Sequence, residues 1–304
     1  MKKFLHKLLL IVLPVLIFLA VCEINYRVVD NDYRYKKNWL DANAQSVQIW
    51  CLGSSHSYLA VAPDSFDLKT FNSAHVAQDL RYDKYIFDKY FDRMDNLQYL
   101  ILTVSYQSPF FNLETSLDSF RSHYYKLYYD CDFHKREPLY NVKIFNGEQF
   151  RRAVRKLFDG STVSSYTDLG QGKFYDSASR QKDLNASGKE RVSIYNVADI
   201  DHKLYEQNLE YCLDIISRCA DRGVRVIILT TPVWASYREN TNETQREMFY
   251  AFCERLVDDN DNVVWVNLWD DSRFDEDDFY DGDHLSFDRG AIKLSNILNS
   301  AICK

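Results

Sequence analysis

The chain has 304 residues, of which 46% are hydrophobic and 15% aromatic, and a formal net charge of -7. This length suffices for one large domain with a packed core, and nine glycines and five prolines are too few for a disordered chain. The acidic balance argues against nucleic acid as a partner, because phosphate binding needs a basic protein face.

The N-terminus combines a basic segment with an apolar one. Three lysines lie within residues 1–7, and an unbroken apolar run follows from Leu8 to Cys22. Such a run is typical of a signal-sequence core and is short for a membrane span, which takes about 20 residues. Because no small-x-small cleavage site follows, we expect residues 1–25 to form an uncleaved signal-anchor. The preceding lysines favour a single-pass protein of the cell membrane with its main domain outside the cytoplasm.

Cysteines and acidic residues give no indication of a metal site. Seven cysteines occur without paired spacing, and the sequence has no CxxC pair or His/Cys cluster with zinc spacing. The acidic loop over residues 270–278 lacks the EF-hand spacing, so we interpret it as a solvated loop rather than a calcium site. We therefore expect neither a metal nor a cofactor.

The rest of the chain is predicted to form a polar tether over residues 26–46 and an α/β domain over residues 47–304. Short apolar runs alternate with amphipathic helical patterns, which indicates a doubly wound, mainly five-stranded parallel sheet. The predicted strands are 47–52, 70–74, 97–105, 224–230 and 263–268. The predicted helices are 82–94, 113–129, 148–158, 204–220, 242–257 and 287–302. Residues 106–203 contain no clear strand and are too long for a plain connection, so we interpret them as a helical cap insertion.

A motif near the C-terminus, Asp281-Gly282-Asp283-His284, is the first candidate for chemistry. A turn of this kind can hold an imidazole against a carboxylate, which fixes the ring tautomer and supports the imidazolium formed during catalysis. The alternative is that both aspartates are solvated loop acids and that His284 caps the helix that follows.

Three serines after the first predicted strand, Ser54, Ser55 and Ser57, are the candidate nucleophiles. A serine needs a base that accepts its proton, and that base must itself be oriented by a third group. In a doubly wound sheet, sites form at the carboxyl edge of the strands, where these serines and His284 can meet. The alternative is a tight turn with a serine as the helix N-cap. The turn is not GxSxG, GxGxxG or a P-loop.

Together, Gly53-Ser54-Ser55 near the start of the domain and Asp281-Gly282-Asp283-His284 near its end resemble the SGNH (GDSL-like) hydrolase superfamily. The resemblance covers about Val47 to Ile302 and implies a flavodoxin-like fold. Gly-Ser-Ser, an N-terminal anchor and a long insertion are most similar to a membrane-anchored branch. That branch contains DltD, the teichoic-acid D-alanylation protein, and polysaccharide O-acyltransferases.

The resemblance implies a role for each matching residue. Ser55 is the expected nucleophile, His284 the base and Asp281 the residue that orients the base, while Asp283 is expected to be a turn residue. Active-site serine enzymes of this kind form an acyl-enzyme.

The oxyanion hole is expected to use the backbone N–H groups of Ser55 and Ala77, with Gln107 as a third donor. Ala77 stands where the family has glycine, and Gln107 follows a third strand that lacks the family's asparagine. His56 and His75 fall in the same region, either as substrate contacts or as structural histidines.

These features predict an extracytoplasmic serine esterase or acyltransferase that acts on acyl groups of cell-surface glycan or cell-wall polymer. A membrane-bound acyltransferase is a further expected partner, and hydrolysis is not distinguished from transfer. The alternative is a non-catalytic protein of the same fold that binds glycan or assembles a membrane complex. The missing asparagine in the third block is the main support for that alternative.

Overall fold

The computed structural model describes residues 2–28, 31–131, 133, 154, 158, 165–258 and 260–302. Its five strands are β1 (Ile49–Leu52), β2 (Thr70–Asn72), β3 (Tyr99–Thr103), β4 (Arg225–Thr230) and β5 (Val263–Asn267). Its helices in the described residues are α1 (Lys2–Val28), α2 (Asp32–Asn43), α3 (Ser55–Ala60), α4 (Leu80–Tyr90), α5 (Ser122–Tyr129), α6 (Leu184–Tyr195), α7 (His202–Asp221), α8 (Ala235–Glu239), α9 (Glu243–Val257) and α10 (Gly290–Ile302). The predicted helix over residues 148–158 lies outside the described residues, apart from residues 154 and 158.

The sheet is parallel throughout, with strand order β2-β1-β3-β4-β5. This is the flavodoxin-like order of doubly wound sheets. From β1 the chain adds β2 on one side, and it then adds β3, β4 and β5 on the other side, so the direction of strand addition reverses between β1 and β3. The predicted α/β fold with a five-stranded parallel sheet is confirmed. Each observed strand lies inside the stretch predicted for it.

Both faces of the sheet are covered, because alternate residues of a strand point in opposite directions. Ile49 and Cys51 of β1 join an apolar cluster that includes Leu294 of α10. Trp50, between them, stacks on Phe87 of α4 with ring centroids 5.9 Å apart. Helix α7 contacts both α4 and α9 on one side, and α3 contacts α10 on the other. The carboxyl edge of the sheet is left for the loops.

The chain divides into two compact units. The smaller comprises residues 1–35 and 120–164, and in it Tyr33 stacks on Tyr124 with ring centroids 4.8 Å apart. The larger comprises residues 36–119 and 165–304 and holds the sheet. Helix α2 belongs to the larger unit from Lys36 onward, and there Trp39 stacks on Phe71 of β2 with ring centroids 3.7 Å apart. A helix therefore occupies much of the stretch predicted to be a tether, and the predicted insertion contributes to both units.

Helix α1 contains an apolar stretch of 19 residues, His6–Ile24, of which only 6% is buried. A helix of this length and composition can cross a membrane or serve as a signal sequence. Exposed side chains such as Leu10 and Ile11 are consistent with either role.

Candidate active site

Ser55 is held at the carboxyl end of β1 by a tight turn into α3. Gly53 has φ +127°, and a Cβ there would lie 2.9 Å from the Thr103 Cβ, so the turn requires glycine. The Gly53 N–H donates to the Asp83 carboxylate at 2.7 Å. Ser54 is the N-cap of α3, and Ser55 is its first residue. The Ser55 N–H therefore has no acceptor inside the helix.

His284 is held by a compact turn after β5. The Asp281 Oδ1 accepts the backbone N–H groups of Asp283, at 3.0 Å, and His284, at 2.8 Å. The Tyr280 N–H donates to the His284 carbonyl at 2.9 Å, and Phe279 and Leu285 form an antiparallel bridge. The Asp281 side chain therefore closes the turn, and the closed turn fixes the orientation of the His284 imidazole.

The structure brings Ser55, His284 and Asp281 together, although Ser55 and His284 are 229 residues apart in sequence. The His284 Nε2 lies 2.9 Å from the Ser55 Oγ. Its other ring nitrogen, Nδ1, lies 3.1 Å from both carboxylate oxygens of Asp281. All three side chains are buried. This arrangement is the one in which a serine is activated by an oriented base.

Asp283 does more than form the turn. Its Oδ1 lies 3.1 Å from the His284 Nδ1, so two carboxylates face one ring nitrogen. Arg191 donates to the Asp283 Oδ1 from Nε at 2.7 Å and to Oδ2 from a terminal nitrogen at 3.2 Å. The His56 Nε2 lies 3.2 Å from the same Oδ2, and the His56 Nδ1 lies 2.6 Å from the Ser105 Oγ.

The charges of this cluster shift its pKa values in opposite directions. Burial lowers the pKa of His284, but the charges of Asp281 and Asp283 outweigh burial and raise it to about 9. Burial raises the pKa of Asp283, but His284, His56 and Arg191 together hold it well below its usual range. Burial lowers the pKa of His56, and its hydrogen bond to Asp283 offsets this only in part. A neutral His56 donates to Asp283 and accepts from the Ser105 hydroxyl.

Ser55 opens into a cavity of about 500 Å³ that Ala77 and Gln107 also line. Ala77 has φ +57°, a left-handed conformation that glycine adopts without strain. The Gln107 side chain is buried, and its Oε1 has no hydrogen-bond partner among the described residues. All three residues expected to bind an oxyanion thus line the same cavity. Other residues that line the cavity include Ser54, Phe110, Phe111, Leu117, Arg191, Ile194, Tyr195 and Val197.

His56, Asp283 and His284 are also the residues of this site that could hold a metal ion. Their ligand atoms lie within 4.8 Å of one another. Hydrogen bonds already account for the cluster. The His284 Nδ1 and His56 Nε2 face carboxylate oxygens at 3.1 and 3.2 Å, and the other two ring nitrogens face the hydroxyls of Ser55 and Ser105. His75, the other histidine of this region, is fully buried beside the Tyr58 ring and does not line the cavity.

Comparison with known proteins adds little to this geometry. No protein-family model and no curated protein matches the chain. A structure from Streptococcus pneumonia that is named for a platelet activating factor is similar, with a TM-score of 0.44 and 12% identity over 96% of this chain and 98% of the other. A structure from Bacteroides fragilis that is named an acylhydrolase has a TM-score of 0.41 and 8% identity over 87% and 94%. The site assignment therefore depends on the contacts above.

Sequence reasoning missed two members of the cluster. Asp283 was noticed only as a turn residue, since an aspartate beside glycine is common in turns. Arg191 lies inside the predicted insertion, in α6, and no motif marks it. The sequence offers only an indirect signal for Arg191. If the second acid beside His284 is buried, a cation is needed to compensate its charge.

The raised pKa of His284 predicts an imidazolium in the resting protein at pH 7. Histidine-selective NMR of the full-length chain should show the His284 ring titrating with a midpoint near 9. His56 should stay neutral at pH 7, since its pKa is lowered. Spectra of His284→Gln and His56→Gln assign the two rings. A His284 midpoint near the ordinary value of 6.5 would contradict the electrostatic account.

Proposed function

We propose that this chain is a serine esterase or acyltransferase of the SGNH type, with Ser55, His284 and Asp281 as its catalytic triad. The observation that carries the proposal is the continuous chain of contacts from the Ser55 Oγ through the His284 ring to the Asp281 carboxylate. Ser55, the first member of this triad, lines a cavity of about 500 Å³, a size that accommodates a small ligand.

The first half-reaction forms an acyl-enzyme. The Ser55 Oγ attacks the carbonyl carbon of an ester or thioester while the His284 Nε2 accepts its proton. The tetrahedral oxyanion is bound by the Ser55 and Ala77 N–H groups and by the Gln107 amide. Asp281 and Asp283 stabilise the imidazolium. The intermediate then collapses, the proton passes from Nε2 to the leaving group, and the acyl group remains on Ser55.

The second half-reaction repeats these steps with another nucleophile. Water or a glycan hydroxyl attacks the acyl carbon while the His284 Nε2 accepts its proton, and the tetrahedral intermediate collapses as Nε2 returns that proton to the Ser55 Oγ. Only the neutral form of His284 can start either half-reaction. With a pKa of about 9, roughly one site in a hundred is neutral at pH 7, so activity should rise with pH through this range.

The apolar N-terminal helix and the resemblance in sequence support the proposed substrate and location. A helix that anchors the chain in the cell membrane would hold the catalytic unit at the outer surface, where the positive N-terminal residues favour its placement. The acyl groups of cell-surface glycan or cell-wall polymer are the substrates within reach of such an enzyme. A membrane-bound acyltransferase is the partner that would supply or receive the acyl group.

An active-site serine probe tests the proposed nucleophile. A fluorophosphonate should label the full-length chain, and Ser55→Ala should abolish labelling. His284→Ala should slow labelling by more than about 10³-fold, because the hydroxyl then lacks its base. Ser54→Ala, which changes the neighbouring serine in the same cavity, is the matched control and should keep its labelling. A folded chain that does not react would instead favour a non-catalytic binding protein.

The proposed oxyanion donor predicts a second kinetic effect. Gln107→Ala should lower kcat for a small ester by about 10²–10³-fold with little change in KM, because its amide contacts only the charge that develops in the transition state. Gln181→Ala removes an exposed glutamine and serves as the control. Equal kcat in Gln107→Ala and the parent protein would remove Gln107 from the oxyanion hole.

A further inference from the structure

We propose that Asp283 and Arg191 are positioning residues that form a second, charge-balanced arm of the site and set how readily His284 accepts the proton of Ser55. This inference rests on the proposed function, since it assigns Asp281 and Asp283 different tasks at the same imidazole. Asp281 orients the His284 ring. Asp283 stabilises the protonated form of that ring, and Arg191 reduces this effect by pairing with Asp283.

The first support is the way Asp283 is shared. Its Oδ1 contacts the His284 Nδ1 at 3.1 Å and accepts from the Arg191 Nε at 2.7 Å. Its Oδ2 accepts from the second Arg191 donor at 3.2 Å and from the His56 ring at 3.2 Å. A fully buried carboxylate is costly unless cations and hydrogen-bond donors compensate it. Here both oxygens of Asp283 are compensated, because each one contacts Arg191 and a histidine ring.

The second support is the close packing that brings Arg191 to this position. A Cβ on Gly282 would lie 2.3 Å from the Gly188 Cα, so the His284 turn and α6 approach more closely than any larger residue allows. The Gly282 N–H also donates to the Ser187 Oγ at 3.1 Å. Arg191 is three residues after Gly188 and therefore lies on the same side of the helix. The glycine contact thus directs Arg191 onto Asp283.

The third support is the balance of charge around His284. The groups that face it and Asp283 come from its own turn, from α3, α6 and α8, and from the segment before α6: Asp281, Tyr280, His56, Arg191, Tyr195, Tyr237 and Tyr175. Burial raises the pKa of Tyr195, which keeps the phenol neutral. His56 is neutral as well. Arg191 is therefore the cation that compensates the charge of Asp283. The carboxylate of Asp281 then remains as the uncompensated negative charge that faces the imidazolium.

Removing each member of the pair should shift the base in opposite directions. Without Arg191, the Asp283 charge acts undiminished on the His284 imidazolium, which then releases its proton only at higher pH. Without the Asp283 charge, the imidazolium loses one of its two anions and releases its proton at lower pH. Loss of a contact that is only structural would lower activity without moving the pH profile.

The test is the pH profile of kcat/KM for p-nitrophenyl acetate with the full-length chain, because its acid limb reports the base in the free enzyme. Arg191→Met should move this limb up by about one pH unit, and Asp283→Asn should move it down by about one unit. The double variant should return close to the parent profile. Arg191→Lys, which keeps the charge, should move the limb less than Arg191→Met. Arg180→Met, which breaks an exposed ion pair with Glu276, is the matched control and should leave the profile unchanged.

Unchanged limbs in both variants, or shifts in the same direction, would overturn the proposal. If Arg191→Met does not fold, Asp283→Asn and Arg191→Lys still test it, because a limb in Asp283→Asn that stays in place or moves up contradicts it. If the chain shows no Ser55-dependent hydrolysis, the proposed function fails separately. NMR titration of the His284 ring in the same variants then decides the inference, with the same opposite shifts expected.

Discussion

The His284 imidazole, buried between a serine hydroxyl and two carboxylates, is the interaction on which the rest of the site depends. Burial alone would make this ring a poor base that stays neutral, because a charged imidazole is costly away from water. Asp281 and Asp283 reverse that effect and raise its pKa to about 9. Two anions at one ring nitrogen would bind the proton too tightly for efficient catalysis, and we infer that Arg191, which pairs with Asp283, limits this effect. On this proposal the site balances stabilisation of the imidazolium against the availability of the free base.

The fold brings these groups together through loops at one edge of the sheet. Parallel strands end at the same edge, so Ser55 after β1, Ala77 after β2 and Gln107 after β3 meet although they are distant in sequence. Two close approaches complete the arrangement. Gly53 lets the chain turn beside Thr103, and Gly282 lets α6 reach the His284 turn. The sheet places the loops of the site at one edge, and the two glycines allow those loops to approach their neighbours closely.

Much of this could be predicted from the sequence, because the strands are short apolar runs and each motif is local to one loop. The predicted helix over residues 113–129 was too long: Asn112 caps a 3-10 turn at Leu113–Thr115, and the α-helix begins only at Ser122. The role of Arg191 could not be predicted, because its position depends on a contact between Gly188 and Gly282, two residues that are far apart in sequence. Patterns that depend on neighbouring residues are visible in a sequence, whereas charge balance between distant elements is not.

The proposed triad requires that Ser55 carry the acyl group during turnover. The most direct measurement is peptide mapping by mass spectrometry after the full-length chain reacts briefly with an acetyl thioester and is quenched in acid. If Ser55 is the nucleophile, an acetyl group is expected on Ser55 and none on Ser54 or Ser57, and the adduct is expected to be absent from Ser55→Ala. Turnover of the thioester without any adduct, or an adduct on another residue that persists in Ser55→Ala, would contradict it.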